Sequence, residues 1–305
     1  MVRPVPTGRT THQDDQVGPD TIASKAWRGR KSCRDAVACL PMGTPKPPPP
    51  HVRAAFGARD AEPELIDAGP MWRCGDGAFK PASSPAEAAW VAKALGDLHV
   101  PGLRIGRPLR STDGRWVVGG WAAYRFIEGH AEPRHDEVIS VSLTLHEALK
   151  SLPRPRFIDA RQDVFAVADR VSSGELEMPL KPDRGGELFA ELNAKQKPAK
   201  LTKQVVHGDL FGNVLFVGDA DPGLIDFRPY WRPPEWAAAV VVVDALAWGG
   251  ADDGIIGRWS HLAEWPQTML QALLFRLAVH ALHPRSTAES LKGLARVAEQ
   301  VDQLL

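Results

Sequence analysis

The chain is short of cysteine. Its 305 residues hold three, Cys33, Cys39 and Cys74, with no CxxC pair and an odd one left over. That pattern argues against a disulfide frame or a thiolate zinc site, and reads as reduced thiols in a cytoplasmic protein. Net charge is also missing: 37 Lys and Arg balance 37 Asp and Glu. A neutral chain gives no support for a nucleic-acid or membrane-surface role. No membrane-length apolar run is visible. The longest, "WAAAVVVVDALAW" at 236–248, is too short to span a bilayer and carries Asp244, so it reads as a buried element. No N-terminal signal peptide is expected either, since the stretch Ala36 to Leu40 is too short for an apolar core.

What is present falls into two kinds of text. Residues 1–53 read as a disordered extension. The first 50 hold 9 of the 27 prolines, show no hydrophobic periodicity and end in the run Pro47–Pro50. Such a segment buries too little apolar area to offset the entropy of ordering it, and the proline run reads as stiff polyproline II. The basic cluster "KAWRGRK" reads as a solvated patch. Met42, just before the proline run, is an alternative start for translation.

From about residue 62 the text is that of a folded protein, and at 44% hydrophobic it has ample core material. "PELIDAGPMWRCGDGAFKP" predicts three short strands, with a hairpin turn at Gly75-Asp76-Gly77. "SSPAEAAWVAKAL" predicts a helix with Ser84 as N-cap, Pro85 at N1 and Glu87 at N3. A strand, a turn at Asp113-Gly114 and a further strand from Trp116 follow. The stretch "HDEVISVSLTLHEALKSL" then turns helical, with Val138, Val141, Leu145 and Leu149 near one face. Residues 164–172 predict a second helix. The end of the chain predicts two more, the last capped by Ser286 with Glu289. A sheet-rich half thus precedes a helical half.

The chemistry gathers in "VVHGDLFGNVLF", 205–216, and "LIDF", 224–227. Turn formers at 218–223 make a hairpin of the strands 214–217 and 224–227. Its antiparallel pairing brings Asn213 beside Asp226. A carboxamide and a carboxylate meeting this way are hard oxygen ligands suited to Mg2+, which takes few protein ligands. Asp209, four residues before Asn213, faces the same place and can accept a hydrogen bond from an incoming hydroxyl. Phosphoryl transfer requires this set: a carboxylate for the nucleophile, oxygen ligands for the metal and a lysine on the phosphates.

His207-Gly208-Asp209 with Asn213, followed by Ile225-Asp226-Phe227, resembles the aminoglycoside phosphotransferase and choline kinase group of kinase-like enzymes over roughly residues 60–305. The resemblance implies an α+β, bilobal fold: a five-stranded N-lobe with one helix at 54–128 and a helical C-lobe at 129–305. It implies an ATP- and Mg2+-dependent transfer of the γ-phosphate to a hydroxyl of a small molecule. Asp209 would be the catalytic base, Asn213 and Asp226 would hold the metal, and His207 would brace the loop. Lys80 would meet the α and β phosphates, with Glu87 as its partner. Glu87 is also explained by the helix cap alone. The backbone of Arg125 and Ile127 would reach adenine, and Asp244 would brace the region beyond Asp226. The chain departs from the pattern in having no G-x-G-x-x-G between its first two strands; "AGPMWR" holds one glycine, Gly69. "RPYWRPPEW", after Asp226, reads either as the lining of an acceptor pocket or as a proline-stiffened loop. Residues 201–305 carry 8 Lys and Arg against 12 Asp and Glu, which points towards a cationic acceptor. A nucleotide-binding module without turnover, and nucleotidyl transfer to a protein, are the alternative functions.

Overall fold

The structure is a computed structural model and describes residues 46–66, 71–82 and 84–305. The expectations for "KAWRGRK", for a start at Met42 and for the loop at Gly69-Pro70 lie outside the described residues, as do Cys33 and Cys39.

The expected disorder up to residue 53 overruns the start of ordered chain. Helix α1, Pro50–Ala55, begins three residues before that boundary. Pro49 holds an extended φ of −58° and ψ of 152°, and Pro50 starts the helix, where a missing N–H costs nothing. Val52 is fully buried against Trp72, Cys74, Phe79, Val118 and Ala123. The proline run is therefore the lead-in to a helix that closes one face of the sheet. Burial in that core pushes the Cys74 thiol pKa up, as expected of an inert structural cysteine.

Strands β1 (Glu64–Ile66), β2 (Met71–Cys74) and β3 (Gly77–Pro81) form an antiparallel meander. Gly75, at φ 60°, makes the tight turn between β2 and β3. Helix α2, Pro85–Gly96, follows, with the Ser84 hydroxyl accepting the Glu87 N–H at 3.0 Å. Next come β4 (Arg104–Ile105), β5 (Pro108–Leu109) and β6 (Trp121–Arg125). The sheet order is β1-β2-β3-β6-β5, five strands as expected. The last strand starts at Trp121 rather than Trp116, because Gly119 and Gly120 both take positive φ and turn the chain first.

The second half is built from α3 (His135–Leu149), a 3-10 turn at Arg156–Ala160, α4 (Val164–Ser172) and α5 (Gly186–Asn193). Strands β7 (Gln204–His207), β8 (Val214–Leu215), β9 (Gly223–Leu224) and β10 (Pro229–Arg232) follow. Four helices end the chain: α6 (Pro234–Asp244), α7 (Ile255–Arg258), α8 (Trp265–Leu282) and α9 (Ala288–Asp302). Every residue of α6 from Trp236 to Asp244 is buried, as its unbroken apolar run requires. Among the described residues no helix is long and apolar enough to cross a membrane. The cap of α9 is Thr287 with Ser290, one residue beyond the expected pair, because the Thr287 hydroxyl takes the Ser290 N–H while Ser290 Oγ takes that of Thr287.

Two pairings were not legible in the sequence. β4 leaves the five-stranded sheet and runs parallel to β9, with Arg104 opposite Gly223 and Ile105 opposite Leu224. The stretch read as a loop after Asp226 is β10, antiparallel to β7, with Pro229 opposite His207 and Tyr230 opposite Val206. The first ties the hairpin that carries Asp226 to β4, and the second pairs the strand after Asp226 with the strand that leads into the Asp209 loop.

Candidate active site

The hairpin forms as its turn residues require. Val214 pairs with Leu224 and Leu215 with Gly223, and the Ile225 N–H donates to the Asn213 carbonyl at 3.0 Å. Asn213 and Asp226 are thus neighbours across the hairpin. Asn213 is buried, and its Nδ2 donates to the Asp209 carbonyl at 2.5 Å. That bond commits the amide nitrogen to the loop and leaves the amide oxygen as the acceptor end. Asp226 sits just past β9 with φ 50°, a left-handed conformation that costs a non-glycine residue of order 1–3 kcal/mol. Its surroundings hold it there. Lys80, from β3, makes an ion pair with one carboxylate oxygen, and Arg228 Nε lies 3.4 Å from the other.

The loop of Asp209 is braced from below by buried polar groups. The Asp209 N–H donates to His207 Nδ1 at 3.1 Å, and the His207 ring meets Phe227 edge to face. The His207 N–H donates to Nε2 of His146, a residue of α3. Full burial and the neighbouring His207 hold the His146 pKa down at about 3, so its ring is neutral and able to accept. Arg276, from the middle of α8, is 1% exposed. It spans Asp244 and Asp209: its Nε lies 2.7 Å from Asp244 Oδ1 and its Nη2 lies 3.3 Å from Asp209 Oδ1. Asp244 therefore acts on the loop through Arg276. Glycine is required at 208, where an added Cβ would sit 2.4 Å from the Tyr230 ring.

Lys80, Asp226, Asn213 and Asp209 come together from both halves of the chain. Glu87 and Arg125 lie at the edge of this group. The Glu87 carboxylate is close enough to act on both Tyr124 and Arg161, so it faces the seam between the halves. The Arg125 N–H is already donated to the Arg107 carbonyl at 2.7 Å, which removes it as a donor to a base. Ile127 lies beyond the end of β6, with its side chain against Gly106 and Gly223. Among the described residues no group of three or more His, Cys, Asp and Glu forms a metal cage. The hard-oxygen pair Asn213 and Asp226 still fits an ion that keeps most of its shell as water and phosphate, and the Asp226 carboxylate already draws two cations.

No family model matches the chain. A homoserine kinase from Methylorubrum populi is 28% identical over 191 residues, 57% of this chain and 57% of that protein, so the chain matches little more than half the length of this curated relative. Among solved structures, a choline kinase from Streptococcus pneumoniae superposes with a TM-score of 0.52 at 11% identity, covering 83% of this chain and 98% of the other. The chain has the kinase-like fold. A spectinomycin phosphotransferase, crystallised with ADP and spectinomycin, gives a TM-score of 0.48 at 13% identity, covering 83% of this chain and 95% of that one.

Two residues of this kinase-like chain escaped the sequence reading: Arg276 and His146. Arg276 sits within the apolar stripe of α8, where an arginine costs too much to bury without a carboxylate partner. That misplaced charge was the signal available. His146 carried none, since a histidine on a helix face is ordinary.

Proposed function

We propose that this chain is a phosphotransferase that moves the γ-phosphate of ATP to a hydroxyl of a small molecule. One observation carries the reading: Lys80 crosses from the five-stranded sheet to Asp226 while Asn213 ties Asp226's hairpin to the loop of Asp209. Lys80 thus meets Asp209, Asn213 and Asp226, more than a hundred positions later, where transfer needs a phosphate-facing cation, oxygen ligands and a carboxylate. The homoserine kinase likeness supports the same class.

In this reading Asp209 accepts a hydrogen bond from the acceptor hydroxyl and aims its oxygen at the γ-phosphorus. The oxygen–phosphorus bond forms, the bond from that phosphorus to the bridging oxygen breaks, and ADP leaves with the electron pair. The hydroxyl proton passes to Asp209 and on to solvent. Arg276 and His207 hold the carboxylate and its backbone in place. Lys80 exchanges its carboxylate partner for the α and β phosphates, and the carbonyl of Arg125 with the backbone of Ile127 meets the base. Mg2+, held by Asn213 and Asp226, would supply charge neutralisation on the phosphates when bound.

ADP release with choline, homoserine and spectinomycin as acceptors, beside thermal shift with ATP and Mg2+, tests the proposal. Turnover with any acceptor, abolished by Asp209→Ala, is the expected result. Binding without turnover in a wider acceptor panel would make the chain a nucleotide-binding module. A nucleotidyl mass gain on a protein target would instead mean transfer of the other end of ATP.

A further inference from the structure

Beside the Asp209 loop lies a cavity of about 270 Å3, walled by the 3-10 turn at Arg156–Ala160, by α4 and by β10. Its charge is the reverse of the acidic surplus of the C-terminal third. Five cationic side chains line it against three carboxylates. Each carboxylate is matched. Asp169 lies 2.7 Å from Arg232, Glu175 bonds Arg232 at 2.9 Å with Lys203 at 3.5 Å, and Asp159 pairs with Arg154. Arg161 is held by Asp163, outside the lining, at 2.9 Å. Arg170 is different. Among the described residues its contacts are two neutral oxygens at 3.4 Å, the Arg161 carbonyl and Gln162 Oε1, and its buried Nε meets no acceptor. A guanidinium without a carboxylate, in a cavity already rich in cations, calls for an anion from outside.

The cavity adjoins the loop through Tyr230. This residue lines the cavity, while its ring packs where a side chain on Gly208 would be. The charges of Arg161, Arg228 and Asp209 all act on the buried Tyr230 phenol, so these groups lie around one side chain shared by cavity and loop. Arg228 Nε is 3.9 Å from Asp209, and its guanidinium lies 5.4 Å from the Phe165 ring on α4. The cavity has room for a compact molecule.

We infer that this cavity holds the anionic group of the phosphoryl acceptor, and that the acceptor is a small hydroxylated carboxylate or phosphate ester. The acid lies on Arg170, and the hydroxyl end points past Arg161 and Arg228 to Asp209. The inference names the acceptor class of the phosphotransferase reading and rests on it.

Binding measured by calorimetry without nucleotide tests it apart from turnover. Glycerate and glycerol 3-phosphate are compared with neutral glycerol and glyceramide and with cationic choline. At least one acid should bind ten-fold or more tighter than every neutral or cationic probe, and the better acid identifies carboxylate or phosphate. Arg170→Gln should remove that preference and Arg170→Lys restore part of it, with the thermal shift by ATP and Mg2+ unchanged in both. Arg161→Gln should weaken the acid in the same direction. Equal binding of neutral or cationic probes, no acid binding, or full acid preference in Arg170→Gln would overturn the inference. If Asp209→Ala and the parent chain both bind the acid but neither turns over ATP, the acid site stands and the phosphotransferase reading fails.

Discussion

The two sides of the site are held in different ways. Lys80 stands on a five-stranded sheet whose packing is apolar: Val52, Trp72, Cys74, Phe79, Val118 and Ala123 make its core. Asp209 stands on a loop whose support is polar and buried: His207, His146, Arg276 and Asp244 are each at most 1% exposed. Apolar packing tolerates volume-conserving change. A buried polar network tolerates almost none, because any lost partner leaves a desolvated group behind. The carboxylate proposed to aim the nucleophile thus sits on the rigid side, and the lysine proposed to meet the phosphates sits on the adaptable side.

Substitutions on the two sides should therefore fail differently. Asp209→Ala has the largest effect expected on turnover, a loss of about a thousandfold, with nucleotide-induced thermal shift retained. Lys80→Met should cost about a hundredfold or more in kcat/KM for ATP, with the far-UV spectrum near that of the parent and a smaller loss of melting temperature from the Asp226 ion pair it removes. Equal losses of fold and turnover in Lys80→Met would erase the contrast between the two sides.

Arg276→Met breaks a buried pair and takes a cation from both Asp244 and Asp209, at a cost of about 3–5 kcal/mol, read as a lower urea midpoint. The change should reduce stability far more than Val52→Ala does on the sheet side, where removing two methyl groups costs roughly 1–3 kcal/mol. Gly208→Ala should cost about 1–3 kcal/mol, since the new Cβ meets the Tyr230 ring and one of the two must move.

The smallest effect is one of pH. His146 is held neutral, its pKa lowered to about 3 from the ordinary 6.5. The unfolded chain binds a proton at this residue below about pH 6.5 while the folded chain does not until about pH 3. Its contribution is therefore full above pH 6.5 and is lost progressively as pH falls towards 3. Urea unfolding at pH 7.5 and pH 5 should show a stability drop in the parent that is reduced in His146→Gln. An unchanged drop would place the acid sensitivity elsewhere.

Much of the site was legible because its chemistry is local. The turn formers at 218–223 force the hairpin, and the hairpin alone brings Asn213 to Asp226. Helix α4 and the Ser84 cap followed in the same way from periodicity and from side chains that bond to their own backbone. Which backbone atom of Arg125 stays open to a base was not legible, because strand pairing, not the residue itself, decides that its N–H is spent on Arg107.

By itself, the sequence determined the elements and the short-range geometry of the loop, since periodicity, turn residues and caps act over a few positions. Only the tertiary structure decided what those elements meet. It brought β4 to the hairpin, turned the proline-rich stretch after Asp226 into β10, drew Arg276 from α8 beneath Asp209 and left Arg170 in a cationic cavity. These are contacts between residues tens of positions apart, and the free energy that selects them comes from burying apolar area and pairing charge in three dimensions.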